Sequence, residues 1–186
     1  MDATVKANRG SVKVWSPYIR IFHWSLVLAV GVAWLGSESA RNIHEFAGYC
    51  AAGLIAWRLL AGLAGSGYTR FAQFIRPPDV VAGYVVDIAA HREKRYLGHN
   101  PAGGAMVLAL IGSVAGTALT GWMQTTDMFW GVAWVEDVHE FLGNAIVVLV
   151  ALHVAGVVLA SVRHRENLVR AMVTGLKRAP GPNDVA

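Results

Sequence analysis

Two histidines, His139 and His153, stand fourteen residues apart in VHEFLGNAIVVLVALHV, a stretch with no charge after Glu140. Fourteen residues is close to four helical turns, so both imidazoles leave one helix on the same face, about 21 Å apart along its axis. That separation is too long for one metal ion. It suits two cofactors at two depths of a membrane whose hydrocarbon core is about 30 Å thick. An ionisable group inside a membrane span is a functional-site hypothesis by default. The plainer alternative is a pair of interior histidines bonded to backbone carbonyls.

The pattern has a second half. HEFAG at His44–Gly48 returns almost letter for letter as HEFLG at His139–Gly143, each copy at the start of its apolar run. Gly48 and Gly143 follow their histidines by four residues on the same helical face, where a missing side chain lets a flat macrocycle lie close. His23 precedes Gly36 by thirteen residues on a run of opposite direction, roughly 20 Å below its outer end and level with His153. Counting therefore yields an outer pair, His44/His139, and an inner pair, His23/His153. A six-coordinate haem iron takes one imidazole from each side and then favours electron transfer over oxygen activation. The parts point to two haems b. With no C-x-x-C-H in the chain, they are not covalently attached. Zinc would want four ligands converging at one point. A proton relay would more naturally place carboxylates in mid-span. No side chain stands out as catalytic.

These residues need elements to carry them. With 55% apolar residues in 186 and a mean hydropathy of +0.44, the chain leaves the ordinary soluble class. Four segments suit membrane helices: about Trp15–Gly36, His44–Leu63, Pro101–Met123 and His139–Val162. The fold class is all-α, a single four-helix transmembrane bundle, with the first span retained and residues 164–186 as a cytoplasmic tail. The net charge of +4 does not signal nucleic acid, because the basic residues cluster in particular loops. Lys6, Arg9, Lys13 and Arg20 precede or open span one. Arg58, Arg70, Arg76, Arg92, Lys94 and Arg95 lie at or between the inner ends of spans two and three. Arg163, Arg165, Arg170, Lys177 and Arg178 follow span four. The positive-inside rule then puts both termini in the cytoplasm.

The connections have their own chemistry. PPDVVAGYVVDIAAH carries Val80, Val81, Tyr84, Val85 and Ile88 at helical spacing, with Asp79 placed to cap the start. It is predicted to be an amphipathic surface helix between spans two and three, followed by Arg92, Lys94 and Arg95 facing anionic headgroups. In the outer loop QTTDMFWGVAWVEDV, Phe129, Trp130 and Trp134 neighbour Asp127, Glu136 and Asp137. That loop is an interfacial aromatic belt or a partner dock. Span three has Gly112 and Gly116 at the spacing that lets helices approach closely, and Thr117 and Thr120 able to bond back to their own helix. Cys50 rules out an internal disulfide and is expected to fill its helix core.

RIFHW at Arg20–Trp24, HEFAG, YLGHNPAGG at Tyr96–Gly104, ALTGW at Ala118–Trp122 and HEFLG with the later Leu-His together resemble the bacterial cytochrome b561 family, which includes the cytochrome b subunits of nickel–iron hydrogenases. The likeness covers about residues 12–178. It implies four helices holding two haems b through His23, His44, His139 and His153, electron exchange with quinone, and location in the bacterial inner membrane. It also implies a redox partner, a periplasmic c-type cytochrome or a hydrogenase-like subunit. A free-standing superoxide:quinone oxidoreductase is the alternative within the class; a haem-free transporter or membrane anchor is the alternative outside it. Lipid surrounds the protein in every case, and a homodimer is left open. Arg58, fourteen residues after His44, and Arg20, one turn before His23, are candidates for a haem propionate, with snorkelling to headgroups the equal alternative for Arg58. Arg41 could serve the outer haem. His99 is either a capping or quinone-proximal group or a plain surface histidine, and His91 and His164 are expected to be solvated.

Overall fold

The computed structural model describes residues 10–36 and 40–185. Lys6, Arg9 and positions 37–39 of the first outer loop lie outside them. Six α-helices dominate the described residues: α1 Pro17–Gly36, α2 Arg41–Ala64, α3 Pro78–Ala89, α4 Pro101–Met123, α5 Ala133–Arg163 and α6 Leu168–Thr174. Helices α1, α2, α4 and α5 are each long and apolar enough to cross a membrane, as the four-span pattern predicts. Two three-residue strands, β1 Ser11–Lys13 and β2 Leu176–Arg178, pair antiparallel with Val12 opposite Lys177.

The chain divides into two compact units. One comprises the chain through Arg20, residues 62–106, and everything from His153 onward; the other comprises 21–61 and 107–152. In the second, one glycine lets α4 and α5 come close. A Cβ on Gly116 of α4 would come within 2.7 Å of the Leu142 side chain of α5, so the missing side chain is what permits that approach. Gly112 is different: a Cβ there would meet nothing within 4 Å. The expected Gly112/Gly116 packing motif is therefore half right, because only one of the two positions faces a close neighbour. Thr117 and Thr120 donate to the carbonyls of Ser113 and Gly116 at 2.9 and 2.8 Å, satisfying their hydroxyls within the helix as anticipated. Cys50 is exposed and so is not core filler.

Helix α5 starts at Ala133 rather than His139. Val135 is fully buried, and Glu136 lies in the first turn, where a carboxylate suits the positive end of the helix dipole. Trp134, Glu136 and Asp137 are thus helical residues, and the outer connection is shorter than the sequence suggests.

The other unit has a mixed apolar and ionic interior. Val14, Trp15, Ile19, Leu97 and Ala171 form its core, with Tyr68 and Met172 against it. Residues 164–186 are no loose tail: their described part contributes α6, β2 and a bridge from Val185 to Tyr96. Helix α6 opens with Asn167, whose side chain accepts from the Arg170 amide at 2.7 Å, and closes at Gly175 with φ +82°. That left-handed turn suits glycine, and a Cβ would also fall 2.6 Å from the Trp15 carbonyl oxygen.

The amphipathic α3 is present, with one correction. Its N-cap is Pro77, with Pro78 in the first turn and no side-chain cap bond; proline is favoured there because the missing N–H is unsatisfied anyway, so Asp79 serves only as a first-turn acid. The apolar residues of α3 differ in burial. Tyr84 is buried, edge-on to Tyr96 with centroids 5.6 Å apart, and donates to the Lys94 carbonyl at 3.1 Å. Val80 and Val85 are exposed.

The largest correction concerns Arg95. It is not a solvated cation: its side chain is 4% exposed and grips Glu166 through two hydrogen bonds of 3.1 and 2.8 Å, with further bonds to Asp184 and to the Arg178 carbonyl. A guanidinium offers a rigid fork of donors that two carboxylates can satisfy at once, which outweighs the solvation it loses. Lys177, also buried, donates to the Tyr96 carbonyl at 2.9 Å and lies 3.5 Å from Glu166. Burial alone would raise the Glu166 pKa; the Arg95 bonds, the Arg178 amide and the Lys177 charge override it and hold the carboxyl below its usual range. Asp184 is likewise held low, burial being outweighed by the Gly181 amide and Arg95. Arg92 pairs with Asp87 at 2.6 Å, and Lys94 is exposed.

Candidate functional site

The unit containing 21–61 and 107–152 brings His44 and His139 face to edge. Their ring centroids are 5.9 Å apart and their planes 69° apart. His44 occupies the first turn of α2, and its Nδ1 lies 2.8 Å from the Ala33 carbonyl oxygen of α1. His139 sits two turns into α5, with Nδ1 2.9 Å from the Thr117 carbonyl oxygen of α4 and 3.3 Å from the Thr120 hydroxyl. Four helices therefore meet at one level, two supplying imidazoles and two supplying carbonyls.

The carbonyls decide what the imidazoles can do. A carbonyl oxygen only accepts, so the proton of each ring sits on Nδ1 and the lone pair on Nε2, the tautomer a metal-binding histidine needs. Two imidazoles each about 2.0–2.1 Å from a shared metal would have centroids roughly 6 Å apart, and the observed spacing matches. A flat ring system also needs room. A Cβ on Gly48 or on Gly143 would meet no atom within 4 Å, so open space adjoins both helices one turn beyond their histidines. Among the described residues no three His, Cys, Asp or Glu side chains converge as a metal cluster. These residues fit a haem held by two imidazoles.

Sequence reasoning missed the supports. Neither the Ala33 nor the Thr117 carbonyl can be read from a residue type, since every residue has one. Gly121 is a different case, since the residue is plain in the sequence but its neighbour is not: a Cβ there would lie 2.9 Å from Cε1 of His139, so only glycine lets that ring seat. The nearby ALTGW motif was the available signal.

The remaining candidates have varied surroundings. His23 is half-buried, its ring edge-on to neighbouring Trp24 at 4.9 Å. His153 is half-buried on α5. The pairing of those two rests on the residue count. Arg58 is 3% exposed, enclosed by protein rather than snorkelled into water. The Arg20 guanidinium donates to the Val173 carbonyl, and Arg41 pairs with Glu45 at 2.7 Å and lies over the Trp130 ring. His99 is neither a surface residue nor the helix cap. It packs between Trp15 and Phe74, with centroids 4.9 and 4.6 Å away, while the Asn100 side chain accepts from the Gly103 amide at 2.7 Å at the start of α4. His91 is exposed, but His164 is partly buried, and that burial lowers its pKa.

Four apolar spans and two imidazoles whose Nδ1 atoms face carbonyls suit a membrane protein of a haem-binding class. The family model for prokaryotic cytochrome b561 matches residues 14–175, and the chain belongs to that family. Its function is accordingly transmembrane electron transfer through b-type haem. No curated protein and no solved structure matches the chain significantly.

Proposed function

We propose that the chain carries electrons across a bacterial inner membrane through two non-covalent haems b, between the quinone pool and a redox partner, a c-type cytochrome or a hydrogenase-like enzyme. The observation that carries this reading is the His44/His139 pair, each Nδ1 committed to a carbonyl and open space beside the glycine one turn on. His44 and His139 would hold the outer haem, and His23 and His153, level by residue count, the inner one. When bound, the haem would supply a one-electron couple, and two imidazoles holding its iron would favour electron transfer over oxygen activation. The protein's own contribution is orientation and electrostatics. Ala33 and Thr117 hold the imidazole tautomers, Gly48 and Gly143 leave room, and the enclosed Arg58 supplies positive charge suited to a propionate. Arg20 is a second cation suited to a propionate if its guanidinium leaves the Val173 carbonyl. With both termini cytoplasmic, the acidic and aromatic segment around Asp127, Trp130 and Asp137, all exposed, faces the periplasm as the partner surface.

Reduced-minus-oxidised spectra with a pyridine haemochrome count test the reading. Two haems b per chain are expected, falling to one in His44→Ala or His139→Ala, and likewise in His153→Ala. A colourless protein produced with ample haem, or a count unchanged by these substitutions, would overturn the ligand assignment.

A further inference from the structure

Beside the buried ion pairs lies a cavity of about 440 Å³ whose walls have no part in the haem reading. Arg92, Lys94, Arg95, Arg163, Arg165 and Arg178 line it, against only two acids, Glu93 and Asp184. Most of these cations are engaged. Arg95 holds Glu166 and Asp184, Arg163 holds Glu93 at 2.8 Å, Arg92 holds Asp87, and Arg178 lies 4.0 Å from Asp184. Lys94 and Arg165 have no ion pair among the described residues. The cavity thus keeps an excess of positive charge at close quarters, which only an anion offsets. Arg165 has φ +50° where α5 ends, with the Glu166 amide donating to the Ser161 carbonyl at 3.0 Å, so the left-handed helix cap sets this cation at the cavity.

The position indicates where such an anion comes from. Arg163 is the last residue of the membrane helix α5, and Val158, Leu159 and Val162 in its final turns are exposed apolar residues. An apolar helix surface ending in a ring of cations matches a lipid, with acyl chains along the helix and a phosphate at its end. Arginine forks suit phosphate oxygens.

We infer that this cavity binds a phosphate group, that of an anionic phospholipid headgroup. A dissolved phosphate shares the chemistry and is separated from it by the test. The full-length protein in detergent would be incubated with phosphatidylglycerol or with phosphatidylcholine, and retained lipid read by native mass spectrometry; inorganic phosphate would be titrated in parallel by thermal shift. Lys94→Gln/Arg165→Asn removes the two uncommitted charges, asparagine being chosen because it tolerates a left-handed backbone. Arg70→Gln/Arg170→Gln removes two exposed charges from outside the cavity. The single variant Lys94→Gln, at an exposed side chain, serves if the double variant fails to fold.

Retention of phosphatidylglycerol over phosphatidylcholine is expected, with a fall of roughly ten- to thirty-fold in affinity in the cavity variant, near five-fold in Lys94→Gln, and little change in the outside variant. Binding of inorganic phosphate alone, lost in the same variants, would support the phosphate site and assign it a dissolved ligand. Absence of both, or equal losses in the cavity and outside variants, would overturn the inference. The haem content has no bearing on any of these outcomes.

Discussion

At His44 and His139 the polar atoms are few, and each is answered by a backbone carbonyl within 2.9 Å. Around Arg95 the polar atoms are many, and charged side chains answer one another. The first arrangement leaves a nitrogen lone pair on each ring available to something from outside. The second is largely closed, since Arg95, Glu166 and Lys177 spend their hydrogen-bonding capacity within the protein. A binding site and an ionic clasp thus differ less in polarity than in what remains unspent once the fold has formed.

The sharpest way to break the comparison is to unbalance the clasp. Glu166→Gln leaves Arg95 and Lys177 buried beside a neutral group, and removing one partner of a buried pair costs about 3–5 kcal/mol. A markedly lower unfolding midpoint is expected, with the haem bands in place at temperatures where the variant is still folded. Loss of the bands with stability unchanged would instead join the two regions functionally.

The corresponding change at the histidine level is Gly121→Ala. Its Cβ would sit 2.9 Å from the His139 ring, an overpacking strain of about 1–3 kcal/mol. Here stability should fall modestly while the haem count or its spectrum changes, the reverse of the Glu166 signature. A native spectrum would show that the ring has slack.

Acid separates the regions next. Glu166, Asp184 and Glu93 have folded pKa values below their ordinary ones; for each, burial is outweighed by hydrogen bonds and cationic neighbours. Groups depressed in this way contribute stability above their unfolded values of about 4, and that contribution is lost as the pH falls through the lower folded values. Thermal midpoints should therefore decline below about pH 4–5, and less steeply in Glu166→Gln, which has already lost one of the groups. Tyr84 acts at the other end. Burial and the nearby Glu93 push its pKa from 10.0 up to about 12, so its contribution is intact below 10 and fades as the pH rises through 12. Tyr84→Phe should blunt that alkaline loss. The smallest effect expected is from Thr120→Val, which removes a 3.3 Å contact to His139 while Thr117 still holds the ring. A stability change under about 1 kcal/mol with full haem content would confirm that the carbonyl is the main support.

What could be read from the chain divides along the same line. The spans and the His44/His139 level are local: apolar runs, turn counting and a repeated five-residue motif expose them. The clasp is not local. Arg95 meets partners 71 and 89 residues away, and in isolation Arg92, Lys94 and Arg95 have every mark of a solvated basic run. Strands of three residues carry no periodicity to detect. Gly112 and Gly116 show a subtler limit: spacing gives the candidate face of a helix, but which glycine touches a neighbour depends on the rotation of α4, fixed by Leu142 on another helix. The start of α5 was set too late because Glu136 and Asp137 suggested a loop, while the burial of Val135 extended the helix through them.

The clasp also gives the chain a history. Glu166 and Asp184 stand 71 and 89 residues after Arg95, so both carboxylates that satisfy its guanidinium are synthesised long after it. Only when the C-terminal segment arrives is Arg95 withdrawn into the fold. The last segment made thus closes a latch whose other half was made first, and truncation before Asp184 would leave Arg95 short of one of its two carboxylates.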